Sequence, residues 1–223
     1  VYTLASGGTL SPWLGQAIGP SYVRKCQTGF VATGFDAYMH NPYGFHYRMR
    51  LQCRKLNSDG SLSPGVGFTP YVGTNSGSWL GKGSCGSGQM LTSMSHRLYN
   101  NYVLASSQGG CQSAATVAAA QTTVANSNTG YIGITNNTWL YTDSLMSKPK
   151  TTSCPKGHAV VGVHAYVSGY PRRVRYLCSK ITVKQASAGG ALFPAGAPLY
   201  CAPARRRKTG AARTAREDCS WPR

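Results

Sequence analysis

Counting back from Cys53, Arg50 stands third and Arg48 fifth; counting back from Cys178, Arg175 stands third and Arg173 fifth. Residues two apart on a strand share a face. Each pair therefore sets two planar guanidinium forks side by side, a geometry suited to bidentate hydrogen bonding with carboxylates or sulfates. Met49 and Leu51 take the opposite face in the first segment, and the corresponding positions before Cys111 hold Gln108 and Ser106, so the basic pairs mark two segments of three. Tyr38, Tyr47, Tyr166 and Tyr176 interleave with them, supplying flat faces that suit sugar rings or aromatic packing. The predicted ligand-contacting set is Arg48, Arg50, Arg173, Arg175, Tyr38 and Tyr166. The competing reading is a solvated strand face on which arginine stems cover apolar surface.

Acid–base chemistry has little to work with. Residues 1–184 carry only Asp36, Asp59 and Asp143, and Asp59 lies in "NSDGS", a turn signature. Glycoside hydrolysis calls for two carboxyl groups flanking the bond, which leaves Asp36, read as pointing outward from its strand, and Asp143 as the catalytic alternative. No G-x-S-x-G elbow, H-E-x-x-H pair or phosphate-cradling glycine loop occurs. His158 and His164 share a parity, as do His40 and His46, but a metal needs a further clustered ligand. His96 falls at a buried parity and reads as a core histidine. Neither a metal nor a cofactor is expected, and an enzyme is the minority reading.

The elements that would position these side chains come from a repeat. Cys26, Cys85 and Cys154 are each followed three positions on by glycine (Gly29, Gly88, Gly157), and each unit closes on a second cysteine, Cys53, Cys111 or Cys178, after 28, 27 or 25 residues. Between them run alternating stretches with Phe35-Ala37-Met39, Met94-His96-Leu98 and Val163-Ala165-Val167 in phase. Period-two alternation assigns that set to a buried face. The repeat predicts the pairs Cys26–Cys53, Cys85–Cys111 and Cys154–Cys178, each clasping the open end of a hairpin, with Cys201–Cys219 as the fourth. Eight cysteines without a C-x-x-C pair read as disulfides of an oxidising compartment. The start "VYTLASGGTL" reads as a mature secreted chain, the "NNT" sequon offers Asn136 for glycosylation, and no apolar run approaches the ~20 residues needed to cross a bilayer.

Three hairpins with one apolar face each cannot bury it singly. Three sheets around a common axis can, and the segment before each unit holds a tryptophan (Trp13, Trp79, Trp139) and strand-like stretches, which predicts a repeat of linker plus hairpin. The expected fold is all-β, a β-prism with pseudo-three-fold symmetry, preferred to a β-trefoil because trefoil repeats are usually ~40 residues and seldom disulfide-linked.

A strand with Gly and Trp, then C-x-x-G, a hydrophobic strand, a turn and a strand ending in Cys resembles the vitelline membrane outer layer protein I family over residues 5–184. That resemblance implies a secreted, disulfide-linked β-prism with internal three-fold pseudosymmetry. The acidic turn of that family's hairpins is absent from all three units here.

From residue 185 alternation ends and Ala, Pro and Arg take over, including "RRRK" at 205–208. The expected organisation is a three-repeat domain over 1–184 and a basic extension over 185–223. The formal charge is +18, of which 1–184 carries +13. Such a surface favours anionic glycans or acidic protein surfaces. Nucleic acid is disfavoured, since no recognised module fits. The sequence thus points to a secreted, non-catalytic protein that binds carbohydrate or builds a coat, envelope or filament by self-assembly, with glycan processing through Asp36 and Asp143 as the alternative.

Overall fold

The computed structural model describes residues 1–39, 45–77, 79–101, 103–120, 127–129, 132–133 and 146–184. Ahead of the first hairpin lie β1 (Tyr2–Leu10), β2 (Leu14–Gly15) and β3 (Ser21–Lys25). The first hairpin is β4 (Phe30–Met39) and β5 (His46–Lys55), followed by β6 (Gly67–Phe68), β7 (Val72–Gly73) and β8 (Trp79–Ser84). The second is β9 (Gln89–Tyr99) and β10 (Val103–Ser113), followed by helix α1 (Ala114–Ala118), β11 (Ser127–Asn128), β12 (Ile132–Gly133) and β13 (Lys150–Ser153). The third is β14 (His158–Ser168) and β15 (Tyr170–Val183).

Alternation decides the hairpins. Phe35, Ala37 and Met39, then Met94, His96 and Leu98, then Val163, Ala165 and Val167 are all buried, and together with partners such as Met49, Leu51, Leu104, Val174 and Tyr176 they form the common core. The turn C-x-x-G repeats with a positive φ at Gly29, Gly88 and Gly157, the left-handed region where only glycine is free of Cβ strain.

Three five-stranded antiparallel sheets surround that core: β6, β7, β5, β4 and β8 in the first; β11, β12, β10, β9 and β13 in the second; β1, β2, β15, β14 and β3 in the third. The fold is a β-prism. The expected repeat of linker plus following hairpin needs correcting, because each linker completes the sheet of the hairpin before it: β6, β7 and β8 pair with β5 and β4. The third hairpin has no such linker after it, and residues 1–25 supply β1, β2 and β3 instead. The chain thereby closes on itself, with the Val1 ammonium donating to the Lys184 carbonyl at 2.7 Å.

The same topology revises the cysteines. The pairs Cys26–Cys53, Cys85–Cys111 and Cys154–Cys178 form as the repeat predicts, but they do not clasp hairpins. Cys26 follows β3 and donates its amide to Val161 in the third sheet, Cys85 follows β8 and donates to Thr33 in the first, and Cys154 follows β13 and donates to Thr92 in the second. Each bond therefore crosses to the neighbouring sheet, third to first, first to second, second to third. Cys201 and Cys219 lie outside the described residues.

Two smaller clusters close the ends. At the disulfide end, Ala114 and Val117 of α1 pack with Val31, Met90, Ala159 and Ile181; Ser113 caps the helix by accepting from the Thr116 amide at 3.2 Å. The Ala-rich stretch thus begins as a short helix. At the turn end, Phe45, Tyr99 and Tyr170, one from each hairpin, come together. In the core a polar hub joins all three sheets: His96 reaches Ser107 at 2.7 Å and Tyr176 at 2.8 Å, and Ser107 reaches His46 at 3.4 Å.

Candidate functional site

The segment that builds the site is repeated too, in a form the hairpin alignment missed: Ser11-Pro-Trp-Leu-Gly15, Thr69-Pro-Tyr-Val-Gly73 and Thr129-Gly-Tyr-Ile-Gly133. In each, the first residue's hydroxyl accepts the amide of the residue two before the closing cysteine: Ser11 from Tyr176 at 2.8 Å, Thr69 from Leu51 at 3.0 Å, Thr129 from Gly109 at 2.8 Å. The amides of Ser11, Thr69 and Thr129 donate back to those residues' carbonyls. The last two residues then pair in register, Leu14 with Val174 and Gly15 with Arg173, Val72 with Met49 and Gly73 with Arg48, Ile132 with Ser107 and Gly133 with Ser106. Anchoring on both sides fixes the central aromatic residue beside the outer face of β15 or β5. Its signal in the sequence is a hydroxyl residue, an aromatic two on, an aliphatic and a glycine, at spacings of 58 and 60.

On the third sheet Trp13 lies against both arginines, its ring centroid 4.6 Å from the Arg173 guanidinium carbon and 4.2 Å from that of Arg175. His164 and Tyr166, on β14 directly across from Arg175 and Arg173, approach the same ring at 4.7 and 5.3 Å. Arg175 donates from Nε and Nη2 to His164 Nδ1, both at 3.2 Å, so His164 accepts there as a neutral imidazole. Burial, with the Arg175 charge adding to it, holds His164 below the ordinary histidine range.

The first sheet has the same plan with Tyr71 in place of Trp13. Arg48 stacks on Tyr38 at 4.1 Å and Tyr71 at 4.5 Å, and Arg50 on Phe68 at 3.8 Å and Tyr71 at 4.6 Å. Here, however, Asp36 occupies the place of His164. Arg50 donates to its Oδ2 from Nε at 2.9 Å and Nη2 at 2.8 Å, and Gln52 donates to Oδ1 at 2.7 Å. Arg48 donates to Asn75 at 2.7 Å.

Of the expected site residues, the structure therefore brings Arg48, Arg50 and Tyr38 together on one sheet and Arg173, Arg175 and Tyr166 on another. Three readings change. Asp36 does alternate with core residues, yet it is only 1% exposed, because Arg50, Gln52 and the neighbouring strand cover the outer face at that point. Tyr176 is fully buried on the core side, bonded to His96, and offers no ligand face. Tyr47 stacks on Tyr170 at 4.8 Å, and the hydrogen bond between the two phenols leads a rise in its pKa. His96 is a core histidine as read. Asp143, Asn136 and Trp139 lie outside the described residues.

No protein-family model matches this sequence, and no curated protein does. Solved structures do. Calsepa lectin in complex with a biantennary N-glycan is 14% identical with a TM-score of 0.51, covering 81% of this chain and 99% of that one. Calsepa lectin in complex with a bisected glycan is 13% identical with a TM-score of 0.50 (77% and 97% covered), and Calystegia sepium agglutinin is 14% identical with a TM-score of 0.48 (79% and 97%). At such identity the likeness bears on the fold alone, which the two Calsepa lectin structures support as a β-prism.

Proposed function

We propose that this is a secreted, non-catalytic carbohydrate-binding β-prism protein whose outer sheet faces hold anionic glycans. The observation that carries the reading is the pairing of arginine forks with a half-buried aromatic ring on a rigid sheet, Trp13 with Arg173 and Arg175: the ring suits a sugar's apolar face and the forks suit a carboxylate or sulfate. Lectins among the structures of like fold and the resemblance to vitelline membrane outer layer proteins favour the same class, and three disulfides favour an oxidising compartment. The glycosidase alternative has less behind it, since Asp36 is engaged by Arg50 and Gln52.

A glycan array read at low and high salt tests the proposal, alongside a sizing run. Uronate- or sulfate-bearing glycans are expected to be retained, and less so at high salt, because exposed charges are screened over ~10 Å at 0.1 M. Retention of no glycan at either salt would overturn it; ordered polymers in the sizing run would favour the coat-subunit reading instead.

A further inference from the structure

The two arginine faces are not equivalent, and their difference names the ligand. In the first sheet a carboxylate is already in place: Asp36, held by Nε and Nη2 of Arg50 and by Gln52. At the same register in the third sheet stands His164, whose neutral Nδ1 occupies Nε and Nη2 of Arg175 at 3.2 Å. Among the described residues no carboxylate reaches Arg173 or Arg175; the acids there are Asp36, committed to Arg50, and Asp59, which accepts from Ser61 in its own turn. The Nε of Arg173 and that of Arg48 are both buried without a hydrogen-bond partner, but Arg48 also donates from Nη1 to Asn75, whereas among the described residues Arg173 has the Trp13 ring against its guanidinium and no such side-chain acceptor. Lys25, exposed at the end of the adjacent β3 and paired with Gly162, adds positive charge at this edge. An arginine held by a neutral imidazole gains more from a carboxylate than one already holding an aspartate, because its positive charge has no opposite charge beside it until the ligand supplies one.

We infer that the third sheet carries the single anionic-sugar site, formed by Trp13, Arg173, Arg175 and Tyr166, with a uronate carboxylate as the group recognised, while the first sheet is closed by its own Asp36. This rests on the carbohydrate-binding reading above and narrows it to one face and one chemical class.

Isothermal titration of the full chain with a defined uronic-acid oligosaccharide, and with the same oligosaccharide after carboxyl reduction, tests it. The expected result is one site per chain and at least tenfold weaker binding of the reduced form. His164→Asp copies the first sheet's arrangement by giving Arg175 an internal carboxylate, and is expected to weaken the uronate at least tenfold with melting little changed. Two sites per chain, or unchanged affinity in folded H164D, would overturn the inference. If H164D fails to fold, R175Q decides: a tenfold loss supports the site and unchanged binding removes it. Equal affinity for the reduced sugar rejects the carboxylate but leaves a lectin, whereas no binding of either sugar rejects the carbohydrate reading itself.

Discussion

His96 shows how much a single side chain inside this core has to satisfy. Fully buried, with Ser107 on one ring nitrogen and Tyr176 on the other, it is held neutral: burial, with the nearby His46 adding to it, pulls its pKa down to about 3. Burial pushes the Tyr176 phenol the opposite way, well above its ordinary range. The sign follows from the depressed histidine. Below its usual value near 6.5 the unfolded chain takes up a proton that the folded chain refuses, so stability falls as pH falls, by ~1.4 kcal/mol per pH unit. Between pH 6.5 and 4.5 this amounts to about 2 kcal/mol, since the slope reaches its full value only once the unfolded histidine is mostly protonated. Urea midpoints across that range are expected to drop steeply for the natural chain and more gently for His96→Gln, and a midpoint independent of pH would refute the buried-neutral assignment. The parity of His96 gave its burial away in the sequence. The covering of Asp36 did not show there, because it depends on Arg50 and Gln52 across the hairpin rather than on alternation along one strand.

At the scale of elements, the hairpins were readable because strands of ten residues or more carry many turns of a period-two pattern. The two-residue strands β2, β7 and β12 carry none, so the segments that place Trp13 and Tyr71 escaped that reading. What marks them is glycine. Gly73 sits at φ +122, where an added Cβ would run into the Tyr47 carbonyl oxygen and the Arg48 backbone. Gly29 has a comparable left-handed backbone at φ +81 but open space around it. Gly29→Ala is therefore expected to cost only the conformational term, about 1–2 kcal/mol, and Gly73→Ala clearly more, since the backbone of β5 has to move as well. Chemical denaturation of the two variants checks this, and equal costs would mean that β7 accommodates by shifting outward. A shift of β7 would also carry Tyr71 off Arg48 and Arg50, so the same variant is expected to alter near-ultraviolet circular dichroism.

For the whole molecule, the order of sheets follows from a choice that no periodicity encodes: whether a linker joins the hairpin before it or after it. Both arrangements satisfy the same alternation, so the β-prism and the cysteine pairs could be read from the repeat, while the crossing of each disulfide between sheets could not. The observed choice leaves the third hairpin dependent on residues 1–25, the only segment able to flank β14 and β15 among the described residues. Closure has a structural signature in the Val1 ammonium on the Lys184 carbonyl and the Lys184 amide on the Val1 carbonyl at 2.9 Å. Two rearranged chains separate this ring-like order from a linear one. Deleting residues 1–25 removes β1, β2 and β3 and uncovers the edges of the third hairpin, so it is expected to abolish cooperative melting and expose a hydrophobic core to aggregation. A permuted chain that joins Lys184 to Val1 through a short glycine–serine linker and opens between the exposed Gln27 and Thr28 keeps every strand neighbour and every disulfide partner. It is expected to fold, form Cys26–Cys53, Cys85–Cys111 and Cys154–Cys178, and melt within several degrees of residues 1–184 in natural order. Cooperative melting of the truncated chain would show that the N-terminal strands are an ornament on a prism that two sheets and a bare hairpin can already hold, and failure of the permutant would show that the fold needs the natural chain order and not the strand neighbours alone.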